Sequence, residues 1–406
     1  MMLNLKRMIA VVLSVACLFA FSACDIMSPR NPQPSPSVEL LDESDNQMDQ
    51  NTDNIKENSD DGSATPDDER DNTEDSPNLD SVKEYFPIYM DTRLVYEGKG
   101  NEYAYFNVYT DYASESLVQQ RIDNGGTQTV RVIEIDDNAI VQKLFRGEVY
   151  YRENLLRLAS TAGGISVADD GTNADILLKV PIKVGNQWTL ADGSTRSITN
   201  VDAEVETLHG NRKAVEVTTV GKHGTTLDYY SEGIGLVKTI YRTEGSEVSS
   251  TLSQIEEGVP FVQLVNFYFP SVDDSDAIYY VSREVPYYTN DITRIKLETE
   301  YRDAYDQGGE KISTVFSENT KINSLYLNED GMVYIDLSGD YLTEMNAGAG
   351  YESAMLQCIA NTFGGYYNVE RVYITIDGEL YTSGHISLEK GEYIEVKIED
   401  AKSVKM

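Results

Sequence analysis

The sequence predicts a multidomain chain in which an all-β antiparallel curved sheet or open barrel is followed by an α/β (α+β) sandwich with two helices packed on a mixed sheet. Three observations predict it. From about Glu84 to Ile255, short runs rich in Val, Ile, Thr and Tyr alternate apolar and polar residues, without an amphipathic helix longer than three turns. After Glu256–Pro260 the pattern turns mixed, with two helical stretches set among strand-like runs. Ahead of both, residues 25–80 hold 17 acidic and 3 basic residues and hardly an aromatic one, so they cannot bury enough apolar area to offset chain entropy.

The 406 residues carry 33 Lys plus Arg against 68 Asp plus Glu, a net charge of −35 that excludes nucleic acid as a partner. Three Cys and three His leave no disulfide framework and no Cys- or His-rich metal centre, and no cofactor is expected. At the start, Lys6 and Arg7 precede an apolar run from Met8 to Phe21, which is too short to span a bilayer but is built like a secretory signal. Its ending, Phe21-Ser22-Ala23-Cys24, resembles the bacterial lipobox, with Phe21 where Leu is usual. The resemblance implies lipidation of Cys24 and an extracytoplasmic, lipid-anchored place on the cell membrane. A plain cleaved signal is the alternative, and Asp25 after Cys24 fits either inner-membrane retention or a single-membrane bacterium. The expected division is therefore a lipoprotein signal peptide over 1–23, a lipidated Cys and disordered acidic tether over 24–80, a β-rich domain over 81–257 and an α/β domain over 260–399.

Within the β-rich stretch the strand-like runs include residues 103–110, 127–135, 139–151, 174–182, 195–208, 212–221, 225–243 and 247–255. Asn124-Gly125-Gly126, Asp192-Gly193 and Gly210-Asn211 punctuate them as hairpin turns, and seven to nine strands are expected. Trp188, the one Trp, reads as a core anchor ahead of a ligand platform. The runs VGNQW, SITNVDAEV, AVEV and YYSEGIGLVK, within about 175–245, resemble an all-β module of extracytoplasmic lipoproteins of Gram-positive bacteria.

The α/β stretch opens with strands at 261–270 and 277–286. A helix follows, capped by Asn290 or Asp291 and running to Gly308, with Ile292, Ile295, Tyr301 and Tyr305 as its apolar face. Two strands then flank Glu329-Asp330-Gly331. A second helix, Tyr351 to Phe363, places Met355, Leu356, Ile359, Ala360 and Phe363 on one side, with Gly364-Gly365 as its stop, and a last strand pair closes the sheet. The blocks VNFYFPSVDD, TKINSLYLNEDGMVYIDLSGDYL and IANTFGGYYNVERVYITIDGEL, in that order over about 262–385, resemble the GerMN domain of sporulation and spore germination proteins. Two departures stand out: YRDAYDQGGE replaces the usual Leu-rich stretch ending in Gly-Pro, and Ser317 replaces a Pro. The resemblance implies an α/β sandwich similar to ring-building modules of secretion and sporulation assemblies, in an envelope role without known catalysis.

Motifs for chemistry are sparse. Asp273, Asp274 and Asp276 lack the ligand spacing of a calcium loop and read as a solvated turn. His209 and His223 flank a strand pair and could approach each other; His385 reads as a surface residue and Cys358 as an inert buried thiol. Asp336 and Ser338 are the polar residues of the family-like region to watch for ligand or partner contact, although local turn or helix capping explains both more simply. The expected function is a non-catalytic envelope scaffold or binding module, in sporulation or germination. Its expected partners are the membrane through Cys24 and an envelope protein, peptidoglycan or a second copy of the chain. Two alternatives remain: a solute or peptidoglycan-fragment binder with a cavity in the β domain, and a cell-wall hydrolase marked by two carboxylates about 5 to 9 Å apart.

Overall fold

The structure is a computed structural model that describes residues 81–161 and 175–404. The expected signal segment, Cys24 and the acidic segment to residue 80 lie outside the described residues.

Twelve strands form one antiparallel sheet: β1 (Thr92–Lys99), β2 (Phe106–Ala113), β3 (Leu117–Asp123), β4 (Gln128–Ile135), β5 (Ala139–Arg146), β6 (Asp175–Lys179), β7 (Gln187–Thr189), β8 (Thr195–Thr207), β9 (Gly210–Val220), β10 (Thr225–Ser231), β11 (Gly235–Arg242) and β12 (Glu247–Glu257). Their order is β6-β5-β4-β3-β2-β1-β12-β11-β10-β9-β8-β7, so β1 and β12 meet at the centre and β6 and β7 are the two edges. The sheet is not closed by a ladder. Its edges are bridged by side chains instead: the Trp188 indole N–H donates to the Ile176 carbonyl at 3.0 Å, and Arg196 Nη1 donates to the same carbonyl at 2.7 Å and to Asp175 Oδ1 at 3.0 Å.

Twelve strands exceed the seven to nine expected: the run 225–243 holds two strands, β10 and β11, and β1, β3 and the three-residue β7 lie outside the runs marked from the sequence. Of these, β3 does not alternate. Five successive β3 residues are buried because both of its faces are covered. On the inside lie two apolar clusters, one around Ile133, Ile140, Trp188 and Val217, the other around Tyr96, Phe106, Val205 and Leu252. On the outside, Val130, Val132 and Leu144 pack under Val149, Leu155 and the short helix α1 (Leu156–Thr161).

The C-terminal part has a three-stranded sheet of β13 (Phe261–Pro270), β14 (Ile278–Tyr287) and β20 (Lys402–Ser403), with β20 parallel to β14. A second sheet orders β15 (Ile322–Leu327), β16 (Val333–Leu337), β17 (Arg371–Ile376) and β18 (Glu379–Leu380), with β19 (Ile394–Glu395) also on β17. Helices α2 (Thr293–Gln307) and α4 (Ala349–Tyr367) pack on these sheets, and a short α3 (Asp340–Glu344) precedes α4. The β16–β17 pair is parallel, as a crossover through α4 requires.

Three expectations need correction. The buried side of α2 is Thr293, Leu297, Glu298, Glu300, Tyr301 and Ala304, whereas Ile292, Ile295 and Tyr305 are exposed. Two of those buried residues are glutamates that take Arg302 and Arg283 as ion-pair partners, so an apolar count misplaces the face. Neither Asn290 nor Asp291 caps α2: Asn290 pairs both amide atoms with the Ala113 backbone of β2, and Asp291 accepts from the Tyr288 N–H. Helix α4 also runs through Gly364-Gly365 and ends at Asn368, which is left-handed at φ 56°. Gly364 serves contact instead, because a Cβ there would lie 2.2 Å from a Val396 methyl.

Candidate functional site

The residues singled out from the sequence have local duties in this fold. Asp336 Oδ1 accepts from the Thr375 hydroxyl (2.6 Å) and the Gly378 N–H (2.8 Å), and Oδ2 accepts from Asn323 (2.9 Å), which ties the turn after β17 to β16. Ser338 Oγ accepts from the Lys321 N–H at 3.0 Å and donates to Asp340 at 3.2 Å. Trp188 is 7% exposed, packed in the inner cluster at the sheet's seam, with Lys179 Nζ 5.3 Å from its ring centre. Cys24 lies outside the described residues. Asp273, Asp274 and Asp276 form a turn in which Asp274 accepts from the Asp276 and Ala277 N–H groups. No cluster of three metal-ligating side chains occurs among the described residues. His209 and His223 do not approach: they sit in the turns at opposite ends of β9, roughly 33 Å of strand apart. Cys358 is buried on α4, and burial pushes its thiol well up.

Two buried clusters that the sequence reading missed lie on opposite faces of β3 and β4. The outer one is the joint between the two parts. Asp111 on β2 is 2% exposed and accepts from Arg121 (Nη2 2.9 Å, Nε 3.3 Å) and Gln119 (3.3 Å), with Arg152 Nε 3.7 Å away. Arg121 also donates to the Val149 and Tyr151 carbonyls at 2.7 and 2.8 Å, which fixes the loop after β5. From that loop Arg152, itself fully buried, donates to the Asp111, Tyr288 and Asp291 carbonyls and to Tyr112 and Thr293, and packs its guanidinium over Tyr112 and Tyr287. Two arginines thus bolt the β sheet to the start of α2. Beside them, burial raises the Glu153 carboxyl to about 7, against the pull of Arg146 and the Leu327 N–H.

The inner cluster is polar and incompletely paired. Arg131 Nε and Nη2 both donate to Gln120 Oε1, at 3.0 and 2.7 Å. Among the described residues Arg131 Nη1 donates no hydrogen bond within the chain, and no carboxylate lies within ion-pair distance of Arg131. Desolvation lowers its pKa, while Tyr230, Tyr96 and Asp228 offset part of that loss. Asp228 is pushed up by burial, with Arg196 and Thr239 drawing it back.

Over this cluster runs a strap, residues 82–89. Its first residues are bonded to the β4–β5 turn (Val82 N–H to Asp137 O, 3.2 Å) and the β10–β11 turn (Gly233 N–H to Glu84 O, 2.7 Å), and at its far end the Tyr89 hydroxyl donates to Ile234 O at 3.3 Å. Its Val82 and Phe86 are buried in the inner core. Between strap residues Phe86, Pro87 and Tyr89 and inner residues Tyr96, Gln120 and Arg131 is a cavity of ≈ 20 Å³, space for about one water. At the strap's edge the Glu84 carboxyl is held above its ordinary range by a hydrogen bond and repulsion from Glu232.

A strand-rich open barrel bolted to an α/β sandwich is the class of protein these features define. Residues 266–382, most of the sandwich, match the Germane family, described as sporulation and spore germination. Among solved structures, the chain is similar to a protein described as exported, with a YmcC-like fold, from Bacteroides fragilis (11% identity, TM-score 0.26, covering 42% of this chain and 98% of that one). A lipoprotein-described chain from Parabacteroides distasonis matches at 12% identity and TM-score 0.26, again covering 42% and 98%. Another from Clostridium perfringens matches at 20% identity and TM-score 0.21, covering 33% and 87%. No curated protein matches the chain. No described helix is long and apolar enough to cross a membrane.

Proposed function

We propose that the protein is an extracytoplasmic, membrane-anchored lipoprotein acting as a rigid, non-catalytic scaffold or binding module of the cell envelope, in sporulation or germination. The observation that carries this reading is the joint. Asp111, Arg121 and Arg152 bind the barrel to the Germane domain through a buried, many-bonded contact. A ligand-driven enzyme or hinge needs parts that move, whereas a scaffold needs parts that hold an angle. The Germane match supports the sporulation or germination context, and the lipobox-like sequence ending at Cys24 supports the anchor. The 17 acidic against 3 basic residues between positions 25 and 80 would be repelled by an anionic bilayer at such an anchor.

Affinity capture from membranes of the native organism tests the reading. The intact chain should retain an envelope protein, a peptidoglycan fragment or a second copy of itself, and should partition with membranes; Cys24→Ala should move it to the soluble fraction. Recovery of no partner from either form would count against a scaffold, and unchanged partitioning would count against the anchor.

A further inference from the structure

We propose that the space beneath the strap is a binding site for an amphiphilic carboxylate, a long-chain fatty acid, with Arg131 as the head-group contact and residues 82–89 as a displaceable plug. Arg131 carries five N–H donors, and its protein bonds run to one neutral amide oxygen, Gln120 Oε1. Arg131 and Gln120 line a cavity whose other walls include the apolar side chains of Phe86, Leu94, Val108 and Leu236. A cation set in an apolar wall selects an anion with an apolar tail.

The volume for that tail is now filled by the strap's own Val82 and Phe86, with Tyr85 and Ile88 partly buried beside them. Replacing those side chains by an alkyl chain exchanges apolar contact for apolar contact, so the gain comes from the head group. The strap is also weakly latched by charge. Lys83 pairs with Asp137 at 3.1 Å, but both side chains are more than half exposed, so solvent screens the attraction. On the next residue, the Glu84 carboxylate is repelled by Glu232 once both carboxyls ionise.

The test uses the mature full-length chain with Cys24→Ala and two probes, the fluorescent fatty acid cis-parinarate and its methyl ester. Lys83→Glu removes the attractive latch at an exposed position and should tighten parinarate binding about threefold or more. Arg131→Gln should weaken parinarate about tenfold or more and leave the ester unchanged. Trp188 emission, reporting on the seam, checks that each variant is folded. The proposal is overturned if neither the parent nor Lys83→Glu binds parinarate. It is equally overturned if folded Arg131→Gln keeps the parent's ratio of acid to ester affinity.

Discussion

Arg121 and Arg131 come from adjacent strands, β3 and β4, yet they meet opposite fates. Arg121 faces outward into the joint, where Asp111, Gln128 and two carbonyls take up its donors. Arg131, paired in register with Gln120, faces inward and holds one amide oxygen. A buried guanidinium satisfied on every side is a structural bolt whose removal leaves other charges stranded. One with spare donors contributes little to the fold and remains free to recognise something else.

The sharpest way to break this contrast is Asp111→Ala. It strands Arg121 and Arg152 together, and a loss of about 3–5 kcal/mol in denaturant unfolding is expected. Next in size is a pH effect at the same joint. Glu153 titrates near 7 in the fold against 4.5 when unperturbed, so its burial favours the protonated form. The associated stability is fully present below about pH 4.5 and is lost as pH rises through 7, up to about 3 kcal/mol. Glu153→Gln should remove that slope, read as the difference in unfolding midpoint between variant and parent from pH 4.5 to 8. Smaller again is Trp188→Phe, which keeps the ring in the core but deletes the seam bond to Ile176. It should cost about 1–2 kcal/mol and speed amide exchange in β6. Smallest is Arg131→Met: with one acceptor lost and a desolvated charge removed, stability should stay within about 1 kcal/mol of the parent or rise. A loss matching that of Asp111→Ala would erase the distinction between the two faces.

Much of the fold could be read from the sequence wherever one face of a strand is wet. The runs at 127–135 and 247–255 alternate and form β4 and β12, and the hairpin at Glu329-Asp330-Gly331 turns where expected, with Gly331 at φ 76°. Reading failed where a second layer covers the outer face. LVQQRID gives no period because the inner Val118, Gln120 and Ile122 and the outer Gln119 and Arg121 are all buried. The same cause hid both clusters. Arg121, Arg131 and Arg152 are separated in sequence from one another and from Asp111, and a buried arginine looks like a surface arginine until its neighbours are known. Asn290 was visible as a cap-type residue, but its partner, the Ala113 backbone, lies 177 positions away. Of the residues marked in advance, Asp336 and Ser338 bond to their neighbours in the fold, while Trp188 joins the two sheet edges.

Scanning calorimetry of the mature chain beside Asp111→Ala tests most directly whether the barrel and the Germane domain act as one body. A joint held by Asp111 gives a single cooperative transition for the parent and two separated transitions, the first at lower temperature, for the variant. Two transitions in the parent, or one in Asp111→Ala at an unchanged Tm, would contradict it.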